Sequence, residues 1–237
     1  LILCLILSGC TVLKSPDRYL PHSKHIIQND MDLYDQPRNR TIPVALYFSD
    51  SSKHKASQQI VIFSHGYGGN KGGDNKVYAY LTNYLAEKGC YVISIQHELP
   101  DDDLLSLTGN LRETRMPNWE RGVQNIFFVI SEMKKIKPGL DFKHLTLIGH
   151  SNGGDMSVLF AHKYPKLVEN IISLDNRRMP LPLTSNPRIL TLRSSDQPAD
   201  EGVLPTAADE KKYGIKIVYL PHTNHGDMDE KGNAQQH

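Results

Sequence analysis

The sequence predicts an α/β protein with a mostly parallel central sheet and helices on both of its faces. Three observations carry this. Short apolar runs alternate with stretches whose apolar residues recur at helical spacing. The runs are continuously apolar, as in parallel strands buried on both sides, rather than alternating with polar residues. The chain has 237 residues, which suits one α/β domain.

The first strand is expected from Arg40 to Phe48, near the sheet edge, where Pro43 is tolerated. Ile60-Val61-Ile62-Phe63 is a buried strand that ends in a glycine-rich loop, Gly66 to Gly73. Val77, Tyr80, Leu81, Tyr84 and Leu85 then mark a helix, with Gly89 as its stop. Tyr91 to Ile95 is the next strand. The stretch from Pro100 to Pro117, with Asp101, Asp102 and Asp103, reads as a solvated loop. Asn118 is placed to cap a helix carrying Trp119, Val123, Ile126, Ile130 and Met133 on one face. Leu145 to Ile148 is a strand, followed by a helix from about Gly153 to Tyr164. Ile171–Leu174, Ile189–Leu192 and Ile215–Tyr219 are three further strands. Chain alternation of this kind connects parallel strands, and ligands bind beyond their carboxyl ends.

Composition excludes some functions. The apolar fraction is 39% and the charged fraction 22%, so the chain is not a disordered one. With 27 Lys plus Arg against 26 Asp plus Glu, a net charge of +1 gives nucleic acid no electrostatic purchase. Of three cysteines, Cys4 lies in the apolar run Leu1 to Leu7, too short to span a bilayer. That run reads as a signal peptide over residues 1–9. Leu7-Ser8-Gly9-Cys10 resembles the lipobox of bacterial lipoproteins. The resemblance implies cleavage before Cys10 and a lipidated thiol. Attached acyl chains contribute about 0.8 kcal/mol per buried methylene, so a membrane is an expected partner and the bacterial cell envelope the expected location. Residues 10–22, with Pro16 and Pro21, then form a tether, and 23–237 the domain. Cys90 remains as a thiol among apolar residues, with no intramolecular disulfide expected. The sequence opens without Met and reads as a fragment at both ends.

The chemistry centres on Gly149-His150-Ser151-Asn152-Gly153. Such a string alone is weak. Here a buried strand runs into it and an amphipathic helix leaves it, which is the context that exposes a serine hydroxyl on a tight, strained turn. At this point the chain resembles the α/β-hydrolase superfamily over about residues 40–226, and its bacterial acetylhydrolase, cutinase and lipase members in particular. Phe63-Ser64-His65-Gly66-Tyr67-Gly68-Gly69 matches the superfamily's loop after an early strand. The resemblance implies that the Tyr67 N–H and the Asn152 N–H form an oxyanion hole.

A serine nucleophile needs a base, and the base an orienting carboxylate. The superfamily order is serine, acid, histidine. His225 follows the final strand, where the superfamily places its base, with His222 as the fallback. Asp196, just past the strand Ile189–Leu192, is the first choice of acid. Asp175 is the alternative, at the position used by platelet-activating-factor acetylhydrolases, which the chain also resembles. Asp200 is a third option. His222, His225 and Asp227 could instead hold a metal, but the serine motif already accounts for a histidine there. Arg177 and Arg178 read as a solvated basic pair.

The expectation is therefore a serine esterase or lipase-type hydrolase, with a small ester or a lipid as substrate and no metal or organic cofactor. The runner-up is a lipid-anchored acetylhydrolase or phospholipase, and the rival from another class a catalytically silent lipoprotein on the same fold. The segment after Asp175 is too short for the helical cap domain of many relatives. Only a polar tail follows His225, where the superfamily usually has a helix. That departure points to truncation or to incomplete packing on one face.

Overall fold

The computed structural model describes residues 25–50 and 58–237. The predicted signal peptide, Cys10 and the tether lie outside the described residues.

Eight strands form one sheet in the order β1-β2-β4-β3-β5-β6-β7-β8. β1 (Ile26–Asp35) and β2 (Arg40–Ser49) form a hairpin, and β2 runs antiparallel to β4 (Tyr91–Ile95). β3 (Ile60–Ser64), β5 (Leu145–His150), β6 (Val168–Leu174), β7 (Arg188–Arg193) and β8 (Lys216–Tyr219) are parallel. The helices are α1 (Ala79–Glu87), α2 (Leu111–Thr114), α3 (Met116–Ile136), α4 (Ser151–Lys163) and α5 (Ala207–Tyr213). Among the described residues, no helix is long and apolar enough to cross a membrane.

Two apolar layers hold the sheet. On one face Trp119, Ile126 and Met133 of α3 and Phe160 of α4 pack with Ile62, Ile93 and Leu147. On the other, Ala86 of α1 joins Tyr47, Phe63, Val92 and Ile148. Alternate residues of one strand thus serve opposite layers, as the pleat requires. Enclosure weakens towards β8. Ile172 and Leu190 are only half-buried and line a groove with Thr146 and Gly214.

Four sequence expectations change. β2 lies near the sheet edge as expected, but an unannounced strand stands outside it. β1 is the edge, and its run IIQNDMDLYD is too polar to announce a strand. Pro43 sits opposite Asp32, and its carbonyl accepts the Gln96 N–H. Pro has no N–H to give, and the β2–β4 ladder takes up only at Val44. α3 starts at Met116, because Pro117 fits a first helical turn. Asn118 is therefore inside the helix, buried, rather than its cap. Asp102 is not solvated. Its two oxygens accept Arg40 Nη1 and Nη2, both at 2.7 Å, and the Leu99 N–H. Burial opposes its charge, but these partners hold its carboxyl below the usual value. α5, which the periodicity did not announce, is capped by Thr206 and ends on the left-handed Gly214.

Candidate active site

The groups singled out in the sequence gather at the carboxyl ends of β3, β5, β6 and β7 and in the loop after β8. Ser151 opens α4 directly after β5, with a φ of 52°. A non-glycine residue in that region is strained and is held there by its surroundings. The surroundings are glycines. A Cβ on Gly149 would fall 2.3 Å from the Gly153 carbonyl oxygen, and one on Gly153 2.3 Å from the carbonyl oxygens of Ser64 and His65. The turn and the end of β3 therefore touch through backbone alone.

His225 lies between Ser151 and Asp175. Its Nε2 is 2.8 Å from Ser151 Oγ and its Nδ1 2.6 Å from Asp175 Oδ2. The carboxylate that meets the imidazole is Asp175, and the expectation of Asp196 is corrected. Asp196 Oδ1 accepts the backbone N–H of His225 at 2.7 Å, so it fixes the loop and not the ring. The reason lies in the backbone. Asp175 has a φ of 59°, and its N–H is tied to the Leu192 carbonyl of the neighbouring strand, so its side chain stands at the end of β6 under the histidine loop.

Asp175 is fully buried, and burial alone would raise its pKa. Hydrogen bonds from His225 and Ser194, with the charge of Arg193, outweigh that and hold it below the usual carboxylate value. Ser194 donates to it through Oγ at 2.6 Å and through its N–H at 3.1 Å. Arg193 Nη2 is 2.9 Å away. The carboxylate is thus charged, and the imidazole Nδ1 carries the proton that faces it.

Asn152 belongs to the first turn of α4, where an N–H has no partner within the helix. Its side chain is immobilised. Oδ1 accepts Trp119 Nε1 at 2.8 Å, and Nδ2 donates to Glu98 Oε1 at 3.0 Å and Asn118 Oδ1 at 2.9 Å. Burial pushes the Glu98 carboxyl up. Tyr67, Gly66, Ser151 and His225 line one cavity of about 460 Å³. The Tyr67 hydroxyl accepts the Leu105 N–H, which pins the loop from below.

The remaining candidates lie elsewhere. His222 does not meet Ser151 or Asp175, and Gln236 is bonded to its carbonyl. Asp200 faces Arg178 Nε at 3.8 Å. Asp227 accepts the Asn224 N–H in a helix cap. Among the described residues, no three His, Cys, Asp or Glu side chains converge as a metal set. Arg177 is bonded to Gln197 and the Pro198 carbonyl. Arg178 gives its backbone N–H to the buried Asp155 and its side chain is only 11% exposed, so Arg178 is built into the loop rather than solvated. Cys90 is a half-buried free thiol whose pKa burial raises.

Sequence reasoning passed over Glu98, Arg193, Ser194, Tyr78 and Asp155. Arg193 and Ser194 stand at the end of β7, Glu98 follows β4, Tyr78 precedes α1 and Asp155 lies in α4, and none belongs to a motif. Their mark, a buried polar group among apolar neighbours, exists only once the chain is folded.

Comparisons with known proteins agree with this architecture. Residues 59–194 match the model of the alpha/beta hydrolase fold family. A serine hydrolase-like protein of Dictyostelium discoideum is 27% identical over 123 residues, 51% of this chain and 29% of that protein. One of Danio rerio is 33% identical over 48 residues, 20% of this chain and 15% of that one. The chain thus spans less than a third of either relative. Among solved structures, a fungal esterase from Rhizomucor miehei superimposes with a TM-score of 0.62 at 14% identity, covering 92% of this chain and 80% of its own. A bacterial heroin esterase does so at 0.57 and 14%, covering 89% and 82%. The dienelactone hydrolase of Anabaena variabilis gives 0.55 and 15%, covering 84% and 88%. With more than half of its length matched by the family model, the chain belongs to the α/β-hydrolase fold family.

Proposed function

We propose that this protein hydrolyses carboxylic esters through an acyl-enzyme on Ser151. The observation that carries the reading is His225 bridging Ser151 Oγ and the charged Asp175. In this mechanism Ser151 Oγ attacks the ester carbonyl carbon while His225 Nε2 takes its proton. The carbonyl oxygen becomes an oxyanion held by the N–H groups of Tyr67 and Asn152. His225 returns the proton to the departing alcohol, which leaves the acyl group on Ser151. Water then attacks the acyl carbon with His225 as base, and the carboxylic acid departs. Asp175 holds the Nδ1–H tautomer and offsets the positive charge on the ring. The esterases among the structural neighbours support ester substrates.

Hydrolysis of p-nitrophenyl acetate and butyrate by the wild type and Ser151→Ala tests this. The variant should lose at least about a thousandfold in kcat. Equal rates would remove Ser151 from the reaction. A fluorophosphonate probe should label Ser151, whereas a silent scaffold would leave it unmodified.

A second reading rests on Leu7-Ser8-Gly9-Cys10 together with Asp175. In it the enzyme is lipid-anchored through Cys10 and cleaves lipid esters at the membrane. Fatty-acid labelling that disappears in Cys10→Ser supports it. Labelling that persists in the variant contradicts it.

A further inference from the structure

Two buried side chains that the hydrolytic steps leave unused lie between the loops that perform them. Tyr78 is 2% exposed and His150 5%. The Tyr78 hydroxyl accepts the Gly66 N–H at 2.9 Å and lies 2.8 Å from His150 Nδ1. His150 Nε2 is 3.1 Å from the carbonyl oxygen of His225. A carbonyl oxygen only accepts, so His150 Nε2 carries the ring proton. Nδ1 then accepts, and the Tyr78 hydroxyl donates to it. The two ends of the chain thereby fix the tautomer in the middle. Burial, with the His225 ring nearby, drives the His150 pKa down to about 3, so the ring is neutral and the polarity of the chain is permanent.

The path runs from Gly66 N–H to Tyr78, from Tyr78 to His150, and from His150 Nε2–H to the His225 carbonyl. Each point it touches adjoins a group that acts on substrate. Gly66 precedes Tyr67 of the oxyanion loop, His150 precedes Ser151, and the His225 carbonyl belongs to the residue that carries the imidazole. These three segments come from the ends of β3, β5 and β8.

We propose that Tyr78 and His150 form a positioning relay that sets the oxyanion loop and the His225 imidazole at a fixed separation across Ser151. The proposal rests on the acyl-transfer reading of the site. Neither residue is a catalytic group; both act through the backbone of their neighbours. Small errors in such spacing are costly, since a displacement of about 1 Å can cost on the order of a hundredfold in rate.

The test uses Tyr78→Phe, His150→Gln and their double variant, assayed with p-nitrophenyl butyrate per fluorophosphonate-titrated site. Gln keeps a donor near the Nε2 position and loses the Nδ1 acceptor, so both single variants break the same link. Each should lower kcat by about tenfold and leave KM within about twofold, the signature of an interaction that matters in the transition state. The double variant should fall no further than the single ones, because coupled residues are not additive. Full kcat per titrated site in either folded single variant, or losses that multiply in the double, overturns the relay. Should Tyr78→Phe fail to fold, His150→Gln decides by the same kcat criterion. The two readings fail separately. An active Ser151→Ala removes the acyl-enzyme, whereas an inactive Ser151→Ala beside a fully active Tyr78→Phe removes only the relay.

Discussion

The strands on the two sides of Ser151 are enclosed to different degrees. Every residue of β3, β4 and β5 is buried. β6 and β7 mix buried with half-buried positions, Arg188 is exposed, and no residue of β8 is buried. On the first side, position is set by close backbone contact. Gly153 meets the end of β3 with no room for a methyl group. On the second side, where Asp175, Ser194, Asp196 and His225 lie in loops, position is set by an ion pair and by hydrogen bonds to carboxylates. Asp175 alone gathers Arg193, two donors on Ser194 and the His225 ring. Shape holds Ser151, and charge holds the groups around it.

This contrast can be broken from either side. Gly153→Ala should have the largest effect on folding. The methyl carbon would meet two backbone oxygens that cannot move without shifting β3, which places the loss at about 4 kcal/mol or more in urea unfolding. A variant of wild-type stability would show that the turn is looser than the contact implies. Arg193→Met comes next. It leaves buried Asp175 without its cationic partner, and breaking such a pair typically costs about 3 kcal/mol. Unfolding midpoints of the variant and the wild type measure it, and an unchanged midpoint would mean that Ser194 and His225 suffice.

The smallest effect is a slope. Burial lowers the His150 pKa to about 3, from the 6.5 of a free imidazole. Between those values the unfolded chain binds a proton that the folded chain refuses, so acidification from pH 6.5 favours unfolding. Each unit of pH then costs about 1.4 kcal/mol for this group. The stability that the neutral ring contributes is complete above pH 6.5 and lost as pH falls towards 3. His97, whose pKa burial also lowers, acts in the same direction. Denaturation at pH 6 and pH 4 should therefore show a shallower pH dependence in His150→Asn than in the wild type. Equal slopes would place the pH sensitivity in other groups.

The same contrast explains what could be read in the chain before folding. The buried strands and the Ser151 turn announce themselves because enclosure demands continuous apolar residues and glycines at stated spacing. His225 is legible because it follows the last strand. Asp175 and Asp196 both follow strands, and nothing local separates them. The choice is made by the left-handed backbone at Asp175 and by an arginine at the end of β7, both contacts between distant parts of the chain. β1 was hidden for a related reason. As an edge strand it buries little, so its residues are not constrained to be apolar. Glu98 and Tyr78 carry no motif, and their importance comes from the hydrogen bonds they make across loops.

The central claim is that the pair Asp175–His225 serves Ser151. Measuring kcat for p-nitrophenyl butyrate in Asp175→Asn and Asp196→Asn tests it most directly. Asp175→Asn should fall by about ten-thousandfold, as a triad carboxylate does when its amide leaves the histidine in the wrong tautomer, and Asp196→Asn by less than about tenfold. A full loss in Asp196→Asn beside a nearly active Asp175→Asn would contradict the account.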